Sequence, residues 1–336
     1  MTALYEITNL SKRFTVGNRF SRQGKRIVQA VDGVSLSIQP GETLGLVGES
    51  GCGKSTLGRC LSRLYDISGG RLVFDGTDIS TLSTRQMRPI RRKVQMVFQD
   101  PYASLNPRRR VQDLIAEPLR IHLNLPEAEV RSRVANLLEQ VGLLPDHANR
   151  YPHEFSGGQR QRIGIARAIA LEPKLVILDE PVSALDVSVQ AQIVNLLADL
   201  QERLKLTYVF VAHDLSVVRQ VSTRIAVMYL GSIVEIGNAD DIFANPAHPY
   251  TQALISAVPK PVNGTARTRI ILTGDVPSPI NPPAGCRFHP RCPVVQDKCR
   301  IERPALVPVG GRPVACHFPI LSQRTGGQTN RPPAVI

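Results

Sequence analysis

The sequence has no long hydrophobic run and few aromatic residues. No segment approaches the ~18 to 20 consecutive apolar residues that a membrane-spanning helix needs, and the N-terminus lacks the basic-then-apolar pattern of a signal peptide. Tryptophan is absent, and the sequence contains neither the aromatic motifs of RNA-binding modules nor the spacing of zinc fingers. These absences disfavour a membrane-spanning chain and a nucleic-acid partner, and they predict a protein that is cytosolic when it is synthesised.

Acidic residues are scarcer than basic ones. The chain has 28 Asp and Glu against 41 Lys and Arg, which gives a net charge of +13. Basic residues cluster at 88–93 and 108–110. Such an excess fits an anionic membrane face, a nucleotide or a nucleic acid, and charge alone does not choose among them. We interpret the clusters as solvated faces near a membrane.

Short apolar segments alternate with segments of helical periodicity between residues 4 and 245. The run at 43–47 predicts a buried strand, and the segment at 54–65 predicts the helix that follows it. Further strands are predicted at 5–14, 28–38, 94–98, 175–178 and 208–212, and further helices at 111–121, 127–141 and 189–204. This alternation predicts an α/β fold with a largely parallel sheet that helices cover on both faces.

The chain divides into two parts near residue 245, where proline becomes frequent and the alternation stops. We predict one domain over residues 1–245, with a helical subdomain at about 105–165, and a C-terminal extension over residues 246–336. A chain of 336 residues is long enough for one large α/β domain with such an appendage.

A glycine-rich phosphate loop follows the strand at 43–47. Its glycines permit close backbone approach to phosphate oxygens, Lys54 supplies a positive charge to the β- and γ-phosphates, and the Ser55 hydroxyl can ligate Mg²⁺. By itself the loop is compatible with kinases, GTPases, helicases and transport motors. The alternative without a function is a glycine-rich turn that happens to contain a lysine. The predicted nucleotide-binding residues are Gly48, Glu49, Ser50, Gly51, Cys52, Gly53, Lys54, Ser55 and Thr56.

Two adjacent acids end the strand at 175–178. Asp179 can hold Mg²⁺ through water, while Glu180 points the other way along the strand and can orient or deprotonate water. The alternative is that the pair merely caps a strand. Two carboxylates with separate roles are what hydrolysis of a phosphoanhydride needs, so we predict a nucleotide-hydrolysing site.

A second glycine-rich segment follows Phe155 and precedes a predicted helix. Ser156 can act as the N-cap of that helix, which leaves the Gly157 and Gly158 amides and the helix dipole free to meet an anion. Alone, Ser-Gly-Gly is also compatible with a plain turn. We call Ser156, Gly157, Gly158 and Gln159 the signature segment.

Together, the phosphate loop, the acid pair and the signature segment resemble the nucleotide-binding subunit of an ABC transporter over roughly residues 4 to 245. The resemblance implies a P-loop ABC ATPase domain: a RecA-like core with an antiparallel β subdomain and a helical subdomain. It also implies that the signature segment contacts the γ-phosphate of ATP held by the opposite subunit, so that two ATP molecules are sandwiched in a head-to-tail dimer. Phe155 stands where the family most often has leucine.

Three further positions match family elements in the expected order. Gln99 resembles the Q-loop glutamine that reaches Mg²⁺ or the attacking water, and Asp186 resembles the D-loop aspartate that helps to join the two subunits. His213 resembles the switch histidine that contacts the γ-phosphate. Taken singly, Gln99 is compatible with an ordinary surface glutamine and His213 with a structural histidine.

An aromatic residue is expected to stack on adenine. By resemblance to the family this residue is Phe14, with Tyr5 and Phe20 as the alternatives nearby in sequence.

The extension resembles that of ATPases from oligopeptide, dipeptide and nickel importers. The segments that match this subfamily are 99–108, 245–254 and 277–279. The resemblance implies an ATPase that drives peptide import from the cytoplasmic face of the (inner) cell membrane. Its implied partners are two transmembrane permease subunits, a second ATPase subunit that is identical or related, and an extracytoplasmic solute-binding protein.

Two alternatives to peptide import remain at this stage. The same motor could import nickel or another small solute. A rival of a different class is a soluble ABC ATPase that acts on nucleic acid or ribosomes. A long coiled-coil insertion or a second ATPase domain would support that rival, and the sequence contains neither.

Cysteines crowd into the extension. Because a cytosolic protein rarely keeps structural disulfides, a soft-ligand site for zinc or an iron–sulfur cluster is favoured, with free buried thiols as the alternative. The resemblance favours a [4Fe–4S] cluster over zinc, and a role as redox or iron sensor is a further hypothesis. His289 and His317 are possible substitute ligands. The four thiols are Cys286, Cys292, Cys299 and Cys316.

Overall fold

The computed structural model describes residues 2–17, 25–258 and 269–320. The strands are β1 (Tyr5–Val16), β2 (Arg26–Ile38), β3 (Thr43–Val47), β4 (Gly69–Phe74), β5 (Thr77–Asp78), β6 (Val94–Val97), β7 (Leu175–Asp179), β8 (Thr207–Val211), β9 (Arg224–Tyr229), β10 (Ser232–Asn238), β11 (Val307–Val309) and β12 (Arg312–Val314). The helices are α1 (Lys54–Leu61), α2 (Thr84–Lys93), α3 (Pro101–Ser104), α4 (Val111–His122), α5 (Glu127–Gln140), α6 (Gly157–Ile169), α7 (Val187–Leu204), α8 (Leu215–Val221), α9 (Ala239–Ala244), α10 (Pro249–Ser256) and α11 (Asp297–Ile301). Short 3₁₀ helices lie at Pro145–Asn149, Pro152–Glu154 and His289–Arg291.

The central sheet has the strand order β11-β12-β10-β9-β3-β8-β7-β6. The five strands from β9 to β6 run parallel to one another. Every residue of β3, β7 and β8 is buried, as expected of parallel strands covered by helices on both faces. The carboxyl ends of these strands meet at one edge, and this edge holds the candidate site. The predicted α/β fold is confirmed.

A second, antiparallel sheet has the order β2-β1-β4-β5. Burial alternates at the start of β1, where Tyr5 and Ile7 face the core and Glu6 and Thr8 face solvent, because successive side chains of a strand point to opposite faces. This sheet packs over α1 through a shared hydrophobic core.

Helices α4, α5 and α6 pack together in the segment predicted as a helical subdomain. Their buried faces share one hydrophobic core with the central sheet. The bounds of about 105–165 stay a prediction, and α6 itself continues to Ile169.

The extension joins the central sheet. Strand β12 pairs with β10, where Val314 lies opposite Glu235. The fully buried Glu235 carboxylate accepts hydrogen bonds from Arg312 Nε at 2.7 Å and from the backbone N–H groups of Ala247 and His248 at 3.0 and 2.9 Å. The boundary near 245 stays a prediction, but the chain on either side of it is tied to one buried carboxylate.

Helix α1 is shorter than the sequence predicts. It ends at Leu61 instead of residue 65, because Arg63 adopts a left-handed backbone conformation with φ +52°. Strands β4, β5, β9 and β10 were absent from the sequence-based prediction. Within the described ranges, no helix is both long and apolar enough to span a membrane.

Candidate active site

The phosphate loop joins β3 to α1 and leaves no room for side chains at two of its glycines. Gly48 has φ +153°, and a Cβ there would lie 2.1 Å from the Met228 carbonyl oxygen. Gly53 has φ +103°, and a Cβ there would lie 2.1 Å from the Ala30 carbonyl oxygen. Only glycine fits both positions. The loop thereby curls against β9 and β2 at the N-terminus of α1, where backbone N–H groups and the helix dipole favour an anion.

Lys54 spans this loop from the first turn of α1. Its buried Nζ donates hydrogen bonds to the carbonyl oxygens of Gly48 at 2.8 Å and Glu49 at 3.0 Å. The ammonium charge is therefore held beside the loop amides. Its contact with the phosphates of a nucleotide stays a prediction.

The Ser55 hydroxyl and the Asp179 carboxylate, which the sequence predicts as Mg²⁺ ligands, lie in contact. Ser55 Oγ donates to Asp179 Oδ1 at 2.7 Å. Asp179 is fully buried, its Oδ2 has no hydrogen-bond partner, and burial raises the pKa of its carboxyl group. Arg59 Nη2 lies 3.9 Å from this oxygen, beyond hydrogen-bond distance. A buried carboxylate oxygen without a hydrogen bond is costly unless a cation or proton meets it, and oxygen ligands suit Mg²⁺. These residues fit the metal.

Gln99, Glu180 and His213 converge at the ends of three neighbouring strands. Glu180 Oε2 accepts a hydrogen bond from Gln99 Nε2 at 2.9 Å and lies 3.3 Å from His213 Nδ1. Glu180 has a left-handed backbone with φ +47°, an uncommon conformation for a residue other than glycine. This turn separates its carboxylate from that of Asp179, so the two acids have different partners.

A cavity of about 470 Å³ unites these groups. Pro279 of the extension is one of the lining residues. The sequence does not predict this position. The lining residues are Val28, Ala30, Ser50, Gly51, Gly53, Lys54, Ser55, Thr56, Gln99, Glu180, His213 and Pro279.

Two predicted loop residues face elsewhere. The Glu49 carboxylate pairs with Arg291 of the extension. Cys52 is buried, and burial raises the pKa of its thiol, which makes it an unreactive part of the loop's packing.

Phe14 stands beside the cavity but not in its lining. It lies opposite Val28, which lines the cavity, and its ring packs edge-on against Tyr65 at 5.4 Å between centroids. Tyr5 is fully buried and donates its hydroxyl to the Leu61 carbonyl oxygen, and Phe20 lies outside the described residues. Adenine stacking on Phe14 stays a prediction.

The signature segment lies away from this cavity. Ser156 caps α6: its Oγ accepts from the Gln159 N–H, and its own N–H donates to Gln159 Oε1 at 3.0 Å. Ser156 is exposed, and Asp186, which begins α7, is exposed as well. Contact of these residues with a second subunit's nucleotide stays a prediction.

The four cysteines of the extension line one small pocket. All six cysteines, which lie in the described part of the chain, are free thiols. Burial raises the pKa of Cys286 and Cys292 and raises the pKa of Cys316 to about 11. In the described ranges, no three His, Cys, Asp or Glu side chains have the geometry of a metal site. The pocket lining is His248, Pro249, Cys286, Phe288, His289, Cys292, Val294, Cys299, Cys316, His317 and Phe318.

The buried His248 of this pocket was not anticipated from the sequence. Its Nδ1 accepts a hydrogen bond from the Tyr250 N–H at 3.1 Å, and burial lowers the pKa of the ring to about 3. His248 is therefore neutral. His248 precedes α10, whereas the cysteines of the pocket come after that helix in the sequence. No local sequence pattern indicates that His248 lies beside them.

The fold and the phosphate loop define a class of protein, the P-loop ATPases. Solved structures agree: an ATP-binding cassette in a dimeric post-hydrolysis state bound to ADP and Pi matches with a TM-score of 0.63 and 30% identity, covering 70% of this chain and 98% of that one.

Sequence comparison gives the family. Residues 31–183 match the ABC transporter family, and residues 234–299 match the oligopeptide/dipeptide transporter C-terminal region. The oligopeptide transport ATP-binding protein AppF of Bacillus subtilis is 52% identical over 319 residues, covering 94% of this chain and 97% of that protein. OppF of Escherichia coli, with the same description, is 52% identical over 308 residues, covering 90% and 92%. The chain belongs to the ABC transporter ATP-binding proteins, and it is an ATPase that uses ATP and Mg²⁺.

Proposed function

We propose that this chain is the ATP-hydrolysing, energy-coupling subunit of an ABC importer for dipeptides or oligopeptides. The observation that carries the proposal is the combination of a complete ATPase site with an extension of the oligopeptide/dipeptide transporter type. Relatives about half identical over nearly the whole chain are oligopeptide transport ATP-binding proteins. Peptide import is therefore favoured over nickel import and over a role on nucleic acid.

Each group of the site has a separate task. The loop amides and Lys54 hold the β- and γ-phosphates, and Ser55 with Asp179 would hold Mg²⁺, which supplies charge neutralisation when bound. Glu180 orients the attacking water and accepts its proton, because its carboxylate is the one that faces the cavity. Gln99 and His213 hold Glu180 in place and face the γ-phosphate.

The functional unit is a dimer in which each nucleotide lies between two chains. The signature segment and Asp186 serve the nucleotide of the opposite subunit, which accords with the exposure of Ser156 and Asp186 and with their position outside the chain's own cavity. The second subunit is an identical or a related ATPase.

The assembly lies at the cytoplasmic face of the cell membrane. Two transmembrane permease subunits bind the ATPase pair, and an extracytoplasmic solute-binding protein delivers the peptide. The ATPase chain uses ATP and does not itself bind peptide, since specificity belongs to the other subunits.

The proposal is tested by uptake of a labelled peptide in cells that carry either this chain or Glu180→Gln. Loss of the general base should lower the rate of ATP hydrolysis about 10²- to 10⁴-fold, so peptide uptake should disappear in the variant. The purified variant should still bind ATP. Nickel uptake is the control, and peptide uptake that survives while nickel uptake fails would overturn the peptide assignment and leave the ATPase intact.

We further propose that the cysteine pocket holds a [4Fe–4S] cluster, with zinc as the alternative. Support comes from four thiols lining one small pocket, since thiolates are the preferred ligands of both zinc and iron–sulfur clusters. The donor types fit, but their present geometry does not, so the thiols must reorient to bind a metal.

Metal analysis of anaerobically purified protein tests this second proposal. Iron and acid-labile sulfide with visible absorbance indicate a cluster, and zinc without absorbance indicates a zinc site. Whichever metal is found should be lost in the double variant Cys292→Ser, Cys299→Ser. It should be retained in Cys60→Ser, because Cys60 lies on α1 and not in the cysteine pocket. Protein without either metal would support free thiols.

A further inference from the structure

Three groups of Glu49 in the phosphate loop form hydrogen bonds: the backbone amide, the backbone carbonyl and the side-chain carboxylate. Its N–H donates to Tyr250 Oη at 2.8 Å, and its carbonyl oxygen accepts from Lys54 Nζ at 3.0 Å. Its carboxylate accepts two hydrogen bonds from Arg291. Lys54 belongs to the ATP site, but Tyr250 and Arg291 belong to the extension.

The pair between Arg291 and Glu49 has the fork geometry of a strong ion pair. Arg291 Nη1 lies 2.7 Å from Glu49 Oε2, and Nη2 lies 3.1 Å from Oε1. The side chains are only 8% and 27% exposed, so water screens the pair weakly. Bidentate pairing of this kind fixes orientation as well as charge.

Tyr250 holds the backbone at the same residue. It is fully buried in the first turn of α10, with its ring packed edge-on against Tyr229 at 4.7 Å between centroids and near Phe288 at 5.4 Å. The hydroxyl therefore has little freedom to leave the Glu49 amide.

A bare carboxylate at Glu49 would oppose the function of the loop. It stands among residues whose amides and lysine attract the phosphates of ATP, and an unpaired negative charge there would repel them. Arg291 neutralises that charge.

We propose that Arg291 and Tyr250 are positioning residues for the phosphate loop, through which the extension sets the affinity of the chain for ATP. The inference rests on the ATP site of the proposed function and assigns a part of that site to the extension. Arg291 acts by pairing the Glu49 charge, and Tyr250 acts by fixing the Glu49 amide.

The extension does not need Arg291 in order to dock. Arg303 Nη1 bonds Asp32 Oδ2 at 2.7 Å, and Arg312 Nε bonds the buried Glu235 at 2.7 Å. Arg287 also pairs with Asp32. Loss of the pair with Glu49 should therefore change the loop rather than detach the extension.

The test is the dissociation constant of the full chain for a fluorescent ATP analogue. Arg291→Ala should weaken binding about tenfold or more, the effect expected when a charged hydrogen-bonded pair is broken, whereas Arg291→Lys should lose less. Adding Glu49→Gln to Arg291→Ala should restore most of the affinity, because the unpaired charge is gone. Tyr250→Phe should weaken binding severalfold.

Steady-state hydrolysis adds a second readout. For Arg291→Ala we expect KM for ATP to rise with little change in kcat, since Arg291 does not touch the reacting atoms. Arg303→Ala, which removes an arginine of the extension that contacts Asp32 instead of the loop, is the matched control and should leave both constants unchanged.

Three results would overturn the inference: unchanged affinity in Arg291→Ala, no recovery in the double variant, or an equal loss in Arg303→Ala. The last two would mean that Arg291 only supports folding of the extension. Wild-type protein that fails to bind the analogue at all would instead overturn the proposed function.

Discussion

At the scale of single residues, two adjacent carboxylates acquire different chemistry from their surroundings. Asp179 is buried beside Ser55, one of its oxygens has no hydrogen bond, and burial raises the pKa of its carboxyl group. Glu180, turned away by a left-handed backbone, faces the cavity beside Gln99 and His213. One acid is thus suited to a metal and the other to water.

The raised pKa of Asp179 predicts a pH-dependent affinity for Mg²⁺. The metal needs the ionised carboxylate, and a raised pKa means that Asp179 takes up a proton at a higher pH than an ordinary aspartate. Affinity for Mg²⁺ should therefore rise with pH through that pKa. Titrating Mg²⁺ into the chain with ATP bound, from about pH 4, where an ordinary aspartate titrates, up to about pH 8, tests this. The same pH slope in Asp179→Asn would contradict it.

Gly48 predicts a sharp steric effect. In Gly48→Ala the new Cβ would meet the Met228 carbonyl oxygen at 2.1 Å, in a backbone conformation that disfavours side chains. We expect ATP binding to be lost and the free energy of unfolding to fall by about 1–3 kcal/mol. Gly69→Ala is the control, because a Cβ there meets nothing within 4 Å. Equal effects from chemical denaturation of both variants would refute this reasoning.

At the scale of elements, the signature helix α6 depends on close packing against α7. A Cβ at Gly158 would lie 2.4 Å from Val189 Cγ1. The glycine thus serves packing between helices in addition to leaving an amide free. The sequence indicated only the second role, because contact with Val189 depends on how the two helices cross.

Alanine at Gly158 and at Gly164 should have opposite effects on stability. Gly158→Ala should push α6 away from α7 and lower the free energy of unfolding by about 1–3 kcal/mol. Gly164→Ala, on the same helix with open space around it, should add up to about 1 kcal/mol through helix propensity. Thermal and urea unfolding measure both, and destabilisation by Gly164→Ala would show that α6 is packed differently.

At the scale of the whole molecule, the phosphate loop and the signature segment lie apart. The cavity is lined by residues of the phosphate loop and by Gln99, Glu180 and His213, whereas the signature segment does not line it and Ser156 of that segment is exposed. A helix N-terminus suits an anion, so the proposed dimer would place the phosphate of a second chain's nucleotide at Ser156.

ATP should therefore drive association of the Glu180→Gln chain. Hydrolysis is blocked in that variant, so the nucleotide remains between the subunits. Light scattering should report a dimer with ATP and a monomer without it. Adding Ser156→Arg should abolish the dimer and leave ATP binding by the monomer intact. A Glu180→Gln chain that stays monomeric with ATP would argue against a homodimer and for pairing with a related ATPase.

The sequence by itself determined the local elements. Apolar run lengths predicted β3 and β7, glycine spacing predicted the phosphate loop, and the order of short motifs predicted the family. These features depend on residues close together in the sequence, because backbone sterics and the spacing of apolar residues determine local structure there. The sequence misjudged the end of α1, because the left-handed Arg63 has no local signal in residue type.

The tertiary structure alone decided which distant residues meet. Gln99 and Glu180 are 81 residues apart, and Glu49 and Arg291 are 242 residues apart. Such pairs follow from strand order and from the docking of β12 on β10, which no local pattern encodes. The same is true of His248 beside the cysteines and Pro279 beside the nucleotide cavity. A motif specifies what a residue is able to do, whereas the packing of the sheet decides which groups stand close enough to do it.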